Sequence, residues 1–310
     1  MNMYPINDNF QSIYIEILED ILHNGKELGK TIDKVNLDFC LTNPNNCLIS
    51  LNKNWKWGFA ELSDRLDPYY RNPGTSYLFR PNWKRKLEKE GGKWIYNYSE
   101  YLVPAIPKVL KKLKARQERE AIISIWQPEH LDIIHPRPRT PCTLNLHFLI
   151  RENKVLLFVN MRSSDVINLL PYDVLHHTFL QRYIASMLEL EPGNFYLKAS
   201  HYYCHKKRII KKGKGKRKER SYIENTVFEL NNAKQNYPEN NEYNFEDFTQ
   251  SLGTNRKDIE YDMAWHYEEK HIFPWEINYS YKTQPILFLS NFLRSLWKKQ
   301  YGEYTITTST

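Results

Sequence analysis

The stretch Pro141–Asp173 places a thiol, a guanidinium, a hydroxyl and two carboxylates close together in the chain. Cys142 precedes one apolar run, Thr143–Ile150, and Arg162, Ser163 and Asp165 follow a second, Lys154–Met161. Both runs are rich in β-branched and aromatic residues, and the polar Arg-Glu-Asn-Lys between them is a hairpin connection. In an antiparallel pair the start of the first strand lies beside the end of the second, so these side chains are expected to converge. A thiolate is a nucleophile, and the charge of Arg162 beside Cys142 favours that form. Arginine also grips phosphate or carboxylate oxygens in pairs. Each residue alone has an ordinary reading: a lone cysteine is a small core hydrophobe, and an Arg and Asp close in sequence form a surface ion pair. Their grouping is what points to chemistry.

The block resembles the thymidylate synthase family. That family carries Pro-Cys with the nucleophile, a strand hairpin, Arg-Ser-x-Asp, a pyrimidine-reading polar residue eleven positions after the Arg, and a downstream His-x-Tyr at the sugar hydroxyl. The matching residues are Pro141-Cys142, Arg162-Ser163-Ser164-Asp165, Asp173 and His201-Tyr202-Tyr203. Three departures stand out. Asp173 replaces the usual Asn, Thr143 the His after the nucleophile, and Met161 the Gln before the Arg. All three look like the phage deoxycytidylate hydroxymethylases.

The first departure has a physical meaning. Uracil offers an N–H at ring position 3 and a carbonyl at position 4, which an amide complements. Cytosine offers an acceptor nitrogen and an amine instead. A carboxylate accepts from that amine, and a protonated one also donates to the ring nitrogen. Asp173 is therefore expected to select cytosine. The plain alternative is a helix cap near Pro171.

The resemblance implies an α+β (α/β) fold: a mixed or antiparallel sheet that forms a dimer interface, flanked by helices. Residues 1–205 would be the catalytic core with an insertion at about 67–90, 206–220 a basic loop, and 221–310 a divergent C-terminal part of the same domain. The implied activity is a cytidylate 5-hydroxymethyltransferase acting on dCMP or CMP, with 5,10-methylenetetrahydrofolate as co-substrate and no metal. Cys142 would attack ring carbon 6, and Glu61, in a Glu-Leu pair like the family's, would organise water and proton transfer. Arg162 and Ser163 would hold the 5′-phosphate, joined by Arg119 from a partner subunit. His201 and Tyr203 would bind the sugar, and Asp165 and Tyr96 the folate. Lys30 stands where the family has a basic phosphate loop, but the usual Arg-Thr-Gly is missing and a solvated lysine is the alternative. Two rivals remain: a thymidylate synthase proper, converting dUMP to dTMP, and a non-catalytic nucleotide or nucleic-acid binder on the same fold.

Composition bounds these readings. The 310 residues, with 41% hydrophobic and 14% aromatic content, suit a packed globular chain. No apolar run approaches the roughly 20 residues of a membrane span, and the start lacks a secretion signal. The four cysteines, at 40, 47, 142 and 204, have no paired metal-ligand spacing. A thiol nucleophile needs a reducing compartment, so a cytoplasmic location is expected (the host's, if the protein is viral). The net charge of +8 resides in Lys206–Arg220, where ten Lys or Arg face one Glu. Such a run reads as a solvated loop, with docking of nucleic acid as the alternative.

The positioning elements follow from periodicity. A helix is predicted over Asn9–Leu28, a strand through Val35, Leu37 and Phe39, and a helix from Trp55 that carries Glu61. A helix over Ser99–Arg116 is confined mainly to its second half by Pro104 and Pro107. Ala121–Trp126 reads as a buried strand. A helix over Val174–Leu190 carries His176 and His177 on different faces, too far apart for one metal. Pro192-Gly193 ends it, and the strand Asn194–Tyr203 delivers His201 and Tyr203. A further helix is predicted at Pro285–Lys299.

Overall fold

The computed structural model describes residues 5–49, 55–67, most of 70–133, 140–206 and a few positions between 223 and 231. The basic run beyond Lys206, the polar stretch after it and the helix predicted at Pro285–Lys299 lie outside the described residues. The strands are β1 (Ile6–Asn7), β2 (Lys26–Leu28), β3 (Thr31–Leu41), β4 (Ile122–Ser124), β5 (Thr143–Arg151), β6 (Lys154–Met161), β7 (Ser164–Asp165) and β8 (Glu191–His205). The helices are α1 (Phe10–Asn24), α2 (Trp55–Arg65), α3 (Tyr98–Lys114) and α4 (Leu170–Met187). The strands form one mixed sheet in the order β1-β3-β8-β6-β5-β4, with β2 beside β3 and β7 beside β8. This is the mixed, helix-flanked sheet expected above. No helix among the described residues is long and apolar enough to cross a membrane.

The predicted hairpin is β5–β6. Its two-residue turn, Glu152-Asn153, has both φ angles positive, the geometry that matches strand twist in a tight hairpin. β6 lies parallel to β8, and α4 makes the crossover between them. Pairing with β8 lapses after Met161↔Ala199 and resumes at Ser164↔Tyr202, so Arg162 and Ser163 bridge a gap beside Ser200 and His201.

Helix α1 buries Phe10, Ile13, Tyr14, Ile17, Leu18 and Ile21. Phe10 meets Phe39 of β3, which in turn meets Phe195 of β8, at centroid distances of 5.9 and 6.2 Å. Helix α4 is buried on nearly every side. Gln181 Nε2 donates to the Val155 and Gly193 carbonyls at 2.8 Å, which pins α4 to the sheet. On its other side the imidazole of His176 bonds through Nε2 to the Gly58 carbonyl of α2, also at 2.8 Å. A Cβ at position 58 would stand 2.8 Å from the Tyr172 ring, so only glycine lets α2 approach this closely. The opposite sheet face carries half-exposed Phe158 stacked on Tyr196, at 4.5 Å, and is not covered by any described element.

Four sequence expectations are corrected. Helix α1 stops at Asn24, and Lys26–Leu28 is a strand. A side chain on Gly25 would collide with Ile21 and Ile32 at 2.4 Å, and its absence lets the chain double back there. Helix α3 runs unbroken through both prolines. Pro104 and Pro107 are on its exposed side, while Leu102, Ile106, Val109 and Leu113 form a buried stripe. That burial, about 1.5–3 kcal/mol per side chain, offsets the roughly 3 kcal/mol cost of an interior proline. Helix α4 begins at Leu170 and ends at Met187, before Pro192-Gly193, which already belong to β8. Asp173 is therefore not the cap residue: it lies inside the first turn, and its N–H donates to Leu169. Val35 is 72% exposed, because Asn36 adopts φ 63° and breaks the strand alternation. β8 changes face at the same level: positions 195, 197 and 199 are buried, then 202 and 204.

Candidate active site

The face change in β3 and β8 creates one half of the site. Beyond it, Asp33, His201 and Tyr203 lie on the side opposite Tyr202 and Cys204. His201 Nε2 lies 3.1 Å from Asp33 Oδ2, and its Nδ1 lies 3.1 Å from Ser163 Oγ. A carboxylate has no proton to give, so Nε2–H donates to Asp33; in the neutral imidazole that leaves Nδ1 to accept from the Ser163 hydroxyl. The Tyr203 ring stacks on His201 at 5.5 Å.

The hairpin supplies the second half. The Arg162 N–H donates to the Cys142 carbonyl at 2.8 Å, so the mouth of β5 faces the exit of β6 as the pairing rule requires. Arg162 Nε and one terminal N–H donate to the Pro141 and Thr140 carbonyls at 2.9 and 3.1 Å. The guanidinium also lies 5.7 Å from the Trp126 ring centroid, within cation–π range. Arg162 thus holds the backbone that presents the thiol. Asp165 is buried and accepts from the Ile167 and Asn168 N–H groups and from Asn168 Nδ2. Three of its roughly four lone-pair sites are occupied.

Helices α2 and α4 close the site. Arg65, one turn after Glu61, donates through Nε to Glu61 Oε1 at 3.3 Å. A terminal nitrogen of the same guanidinium stands 3.8 Å from Asp173 Oδ1, and its carbon lies 4.1 Å over the Tyr98 ring. Ser76, from the segment read as an insertion, donates to Glu61 Oε2 at 3.0 Å. The imidazole of His177, one turn beyond Asp173, lies 3.4 Å through Nε2 from Thr143 Oγ1, next to the nucleophile candidate. Tyr96 meets Tyr98 edge-on at 5.5 Å, and together they wall the side near Cys142.

Exclusion of water sets the protonation of these groups. Burial raises the Asp173 carboxyl to about 7; the Arg65 charge lowers it, and Glu61 and Asp165 raise it further. At 3.8 Å the Arg65 contact is attraction without a hydrogen bond, so desolvation prevails. Burial likewise pushes the Cys142 thiol above its usual range, with Asp173 and Asp165 adding to the rise and Arg162 and Arg65 opposing it. Arg162 does favour the thiolate, as expected, but burial outweighs it. His177 is pushed down to about 3 by burial and by Arg65, and His176 well below its usual range by the same causes. Burial holds Tyr203 at about 12.

The four described cysteines are free, and only Cys142 is not fully buried. Its iodoacetamide labelling is expected to be slow at pH 7 and to accelerate with a midpoint above the ordinary thiol value of about 8.5. Arg162→Gln is expected to move that midpoint higher. Labelling at pH 7 as fast as that of a free thiol would contradict the burial argument.

The fold therefore gathers Cys142, Glu61, Asp173, Arg162, Ser163, Asp165, Tyr96, His201 and Tyr203. It does not bring in Arg119, which is exposed in the turn before β4. Lys30 is exposed too, in the β2–β3 turn, where its carbonyl accepts from the Lys206 N–H. Sequence reasoning missed Arg65, Tyr98, Ser76 and Asp33. Only Arg65 left a signal, its i,i+4 spacing from Glu61. No group of three His, Cys, Asp or Glu suited to a metal occurs among the described residues.

A family model described as thymidylate synthase matches residues 42–265. A thymidylate synthase of Bacillus licheniformis is 31% identical over 94 residues, 30% of this chain and 33% of that protein. One from Bacillus phage phi3T is 30% identical over 94 residues, with the same shares. One from Mycoplasma genitalium (strain ATCC 33530 / DSM 19775 / NCTC 10195 / G37) is 28% identical over 94 residues, 30% of this chain and 32% of that protein. The chain spans about a third of the length of the curated relatives it matches.

Proposed function

Since the chain belongs to the thymidylate synthase family, we propose that it transfers a one-carbon unit to carbon 5 of a cytidylate, dCMP or CMP, leaving a 5-hydroxymethyl group. The observation that supports this reading is Asp173: a buried carboxyl near neutrality, not an amide, stands eleven positions after Arg162, where the family pattern has its base reader. Its hydroxyl can donate to ring nitrogen 3 while its carbonyl oxygen accepts from the amine.

The chemistry of the chain's own groups follows. The Cys142 sulfur, as thiolate, bonds to carbon 6, and the C5–C6 π pair moves onto carbon 5 and into the ring nitrogen. Asp173 gives its proton to that nitrogen, becomes a carboxylate, and is held by Arg65. The ring is then neutral and nucleophilic at carbon 5. Arg162 spends two of its five N–H donors on the Pro141 and Thr140 carbonyls, which leaves donors for the 5′-phosphate. Ser163 lies beside it. Glu61, fixed by Arg65 and Ser76, is placed to orient the water that completes the hydroxymethyl group. The C5–C6 double bond then re-forms as Cys142 leaves carbon 6 as thiolate, and the ring nitrogen returns its proton to Asp173. Methylenetetrahydrofolate supplies the one-carbon unit when bound. The aromatic wall of Tyr96 and Tyr98 suits a flat heteroaromatic ring, and the remaining lone pair of Asp165 suits a ring N–H. Arg119, on an exposed turn, would reach the phosphate only from a partner subunit. The uncovered sheet face around Phe158 and Tyr196 is where a second copy would lie.

The test is a product analysis with dCMP, CMP and dUMP, each with methylenetetrahydrofolate. The expected result is a 5-hydroxymethylcytidylate with tetrahydrofolate. Dihydrofolate formed from dUMP would instead indicate reductive methylation and overturn the reading.

A further inference from the structure

We propose that Arg65 is the positioning residue of this site: its guanidinium, forked between Glu61 and Asp173 and laid on Tyr98, locks the base-reading carboxyl to the water-orienting one. The inference rests on the reading of Asp173 above, and the geometry behind it is independent of any substrate. Arg65 is 9% exposed and comes from α2, whereas Asp173 comes from α4, so the pair spans two helices. The guanidinium carbon lies 4.1 Å from the Tyr98 ring centroid, within cation–π range. Nε donates to Glu61 at 3.3 Å, and a terminal nitrogen stands 3.8 Å from Asp173, an ion pair without a hydrogen bond. A planar fork can serve both carboxyls at once; a lysine ammonium on a flexible stem cannot hold this arrangement.

The consequence is control of one proton. Around the Asp173 carboxyl stand Arg65 and Glu61 from α2 and Asp165 from β7; Cys142, Tyr98 and Tyr203 lie within electrostatic reach, and His177 is on its own helix. Among the groups that act on it, Arg65 is the one positive charge, so Arg65 alone opposes the rise caused by burial and by the two neighbouring carboxylates. Without it Asp173 would keep its proton through the neutral range and could not release it to the ring as the thiolate adds. With Arg65 present, the carboxylate formed in that step is stabilised where it forms. Arg65 thereby tunes the acid without touching the nucleotide.

The experiment follows the Asp173 carboxyl by carbon-13 NMR in the whole chain, with the signal assigned by its loss in Asp173→Asn. In Arg65→Met the titration midpoint is expected to rise by about one unit or more. Arg65→Gln, which keeps a donor for Glu61, should show the same shift and serves if the Met variant does not fold. Arg65→Lys is expected to restore the midpoint in part while KM for the cytidylate stays raised about tenfold, because the charge returns without the fork. A merely structural arginine would lower thermal stability and leave the titration unmoved. An unchanged midpoint in a folded Arg65→Met or Arg65→Gln protein overturns the assignment. A shifted midpoint in a protein that turns over no cytidylate leaves Arg65's hold on Asp173 standing and overturns the substrate reading instead.

Discussion

Cys142→Ala is expected to remove turnover of every nucleotide by about 10⁴-fold or more while leaving nucleotide binding nearly unchanged. The attack on carbon 6 has no substitute in the site. The other three cysteines are buried, and the tyrosines within electrostatic reach of the thiol are held protonated by burial, Tyr98 and Tyr203 at about 12 and Tyr96 well above its ordinary value. Binding should survive because the proposed phosphate and base contacts come from Arg162, Ser163 and Asp173. The variant also divides the two classes of reading. A non-catalytic binder would lose nothing with Cys142 and would show salt-sensitive nucleic-acid binding through the basic segment. Turnover measured by product formation, with calorimetric binding of the nucleotide alongside, checks both points. Retained turnover would remove Cys142 from the nucleophile's role.

Asp173→Asn is expected to move preference from cytidylate toward uridylate, changing the ratio of kcat/KM by about 10²–10³. An amide turns its N–H toward the carbonyl of uracil and its oxygen toward the ring N–H. Against cytosine it lacks the acid proton the ring nitrogen needs. The change has a second effect that requires no substrate. The folded protein holds this carboxyl at about 7 against an ordinary value of 3.8, so the folded state binds the proton more tightly than the unfolded chain. The group's contribution to stability is therefore complete below about 4 and is lost as pH rises through 7. Asp173→Asn removes that loss, and its stability gain at pH 8 over wild type should be on the order of 2–4 kcal/mol larger than at pH 4. Denaturant unfolding at the two pH values measures it. An equal difference at both would mean that Asp173 is not desolvated, and unchanged discrimination would take it out of base reading.

Much of the site was legible because its chemistry is local. Cys142, Arg162, Ser163 and Asp165 belong to one hairpin, and antiparallel pairing alone dictates which ends meet. Asp173 and His201 were legible through their spacing in a family pattern. Other elements were legible in kind but not in extent. The prolines of α3 argued for a break, which a buried aliphatic stripe on the far side of the helix overrode. The strand through Val35 was read with even alternation, which a single left-handed residue, Asn36, interrupts.

Which side chains could do chemistry, and that a thiol would sit opposite a guanidinium, follows from the order of residues, because period-two pairing within a hairpin is a local rule. The partners of those side chains follow only from the folded chain. Asp33 reaches His201 because two strands change face together, and Arg65 reaches Asp173 because Gly58 lets two helices close. Their protonation is likewise a tertiary property, since it depends on how much water is excluded. A carboxyl that would be ionised in an open chain keeps a proton near neutrality here, and a thiol expected to be activated by its neighbour is held back, because desolvation inside the fold outweighs a single nearby charge.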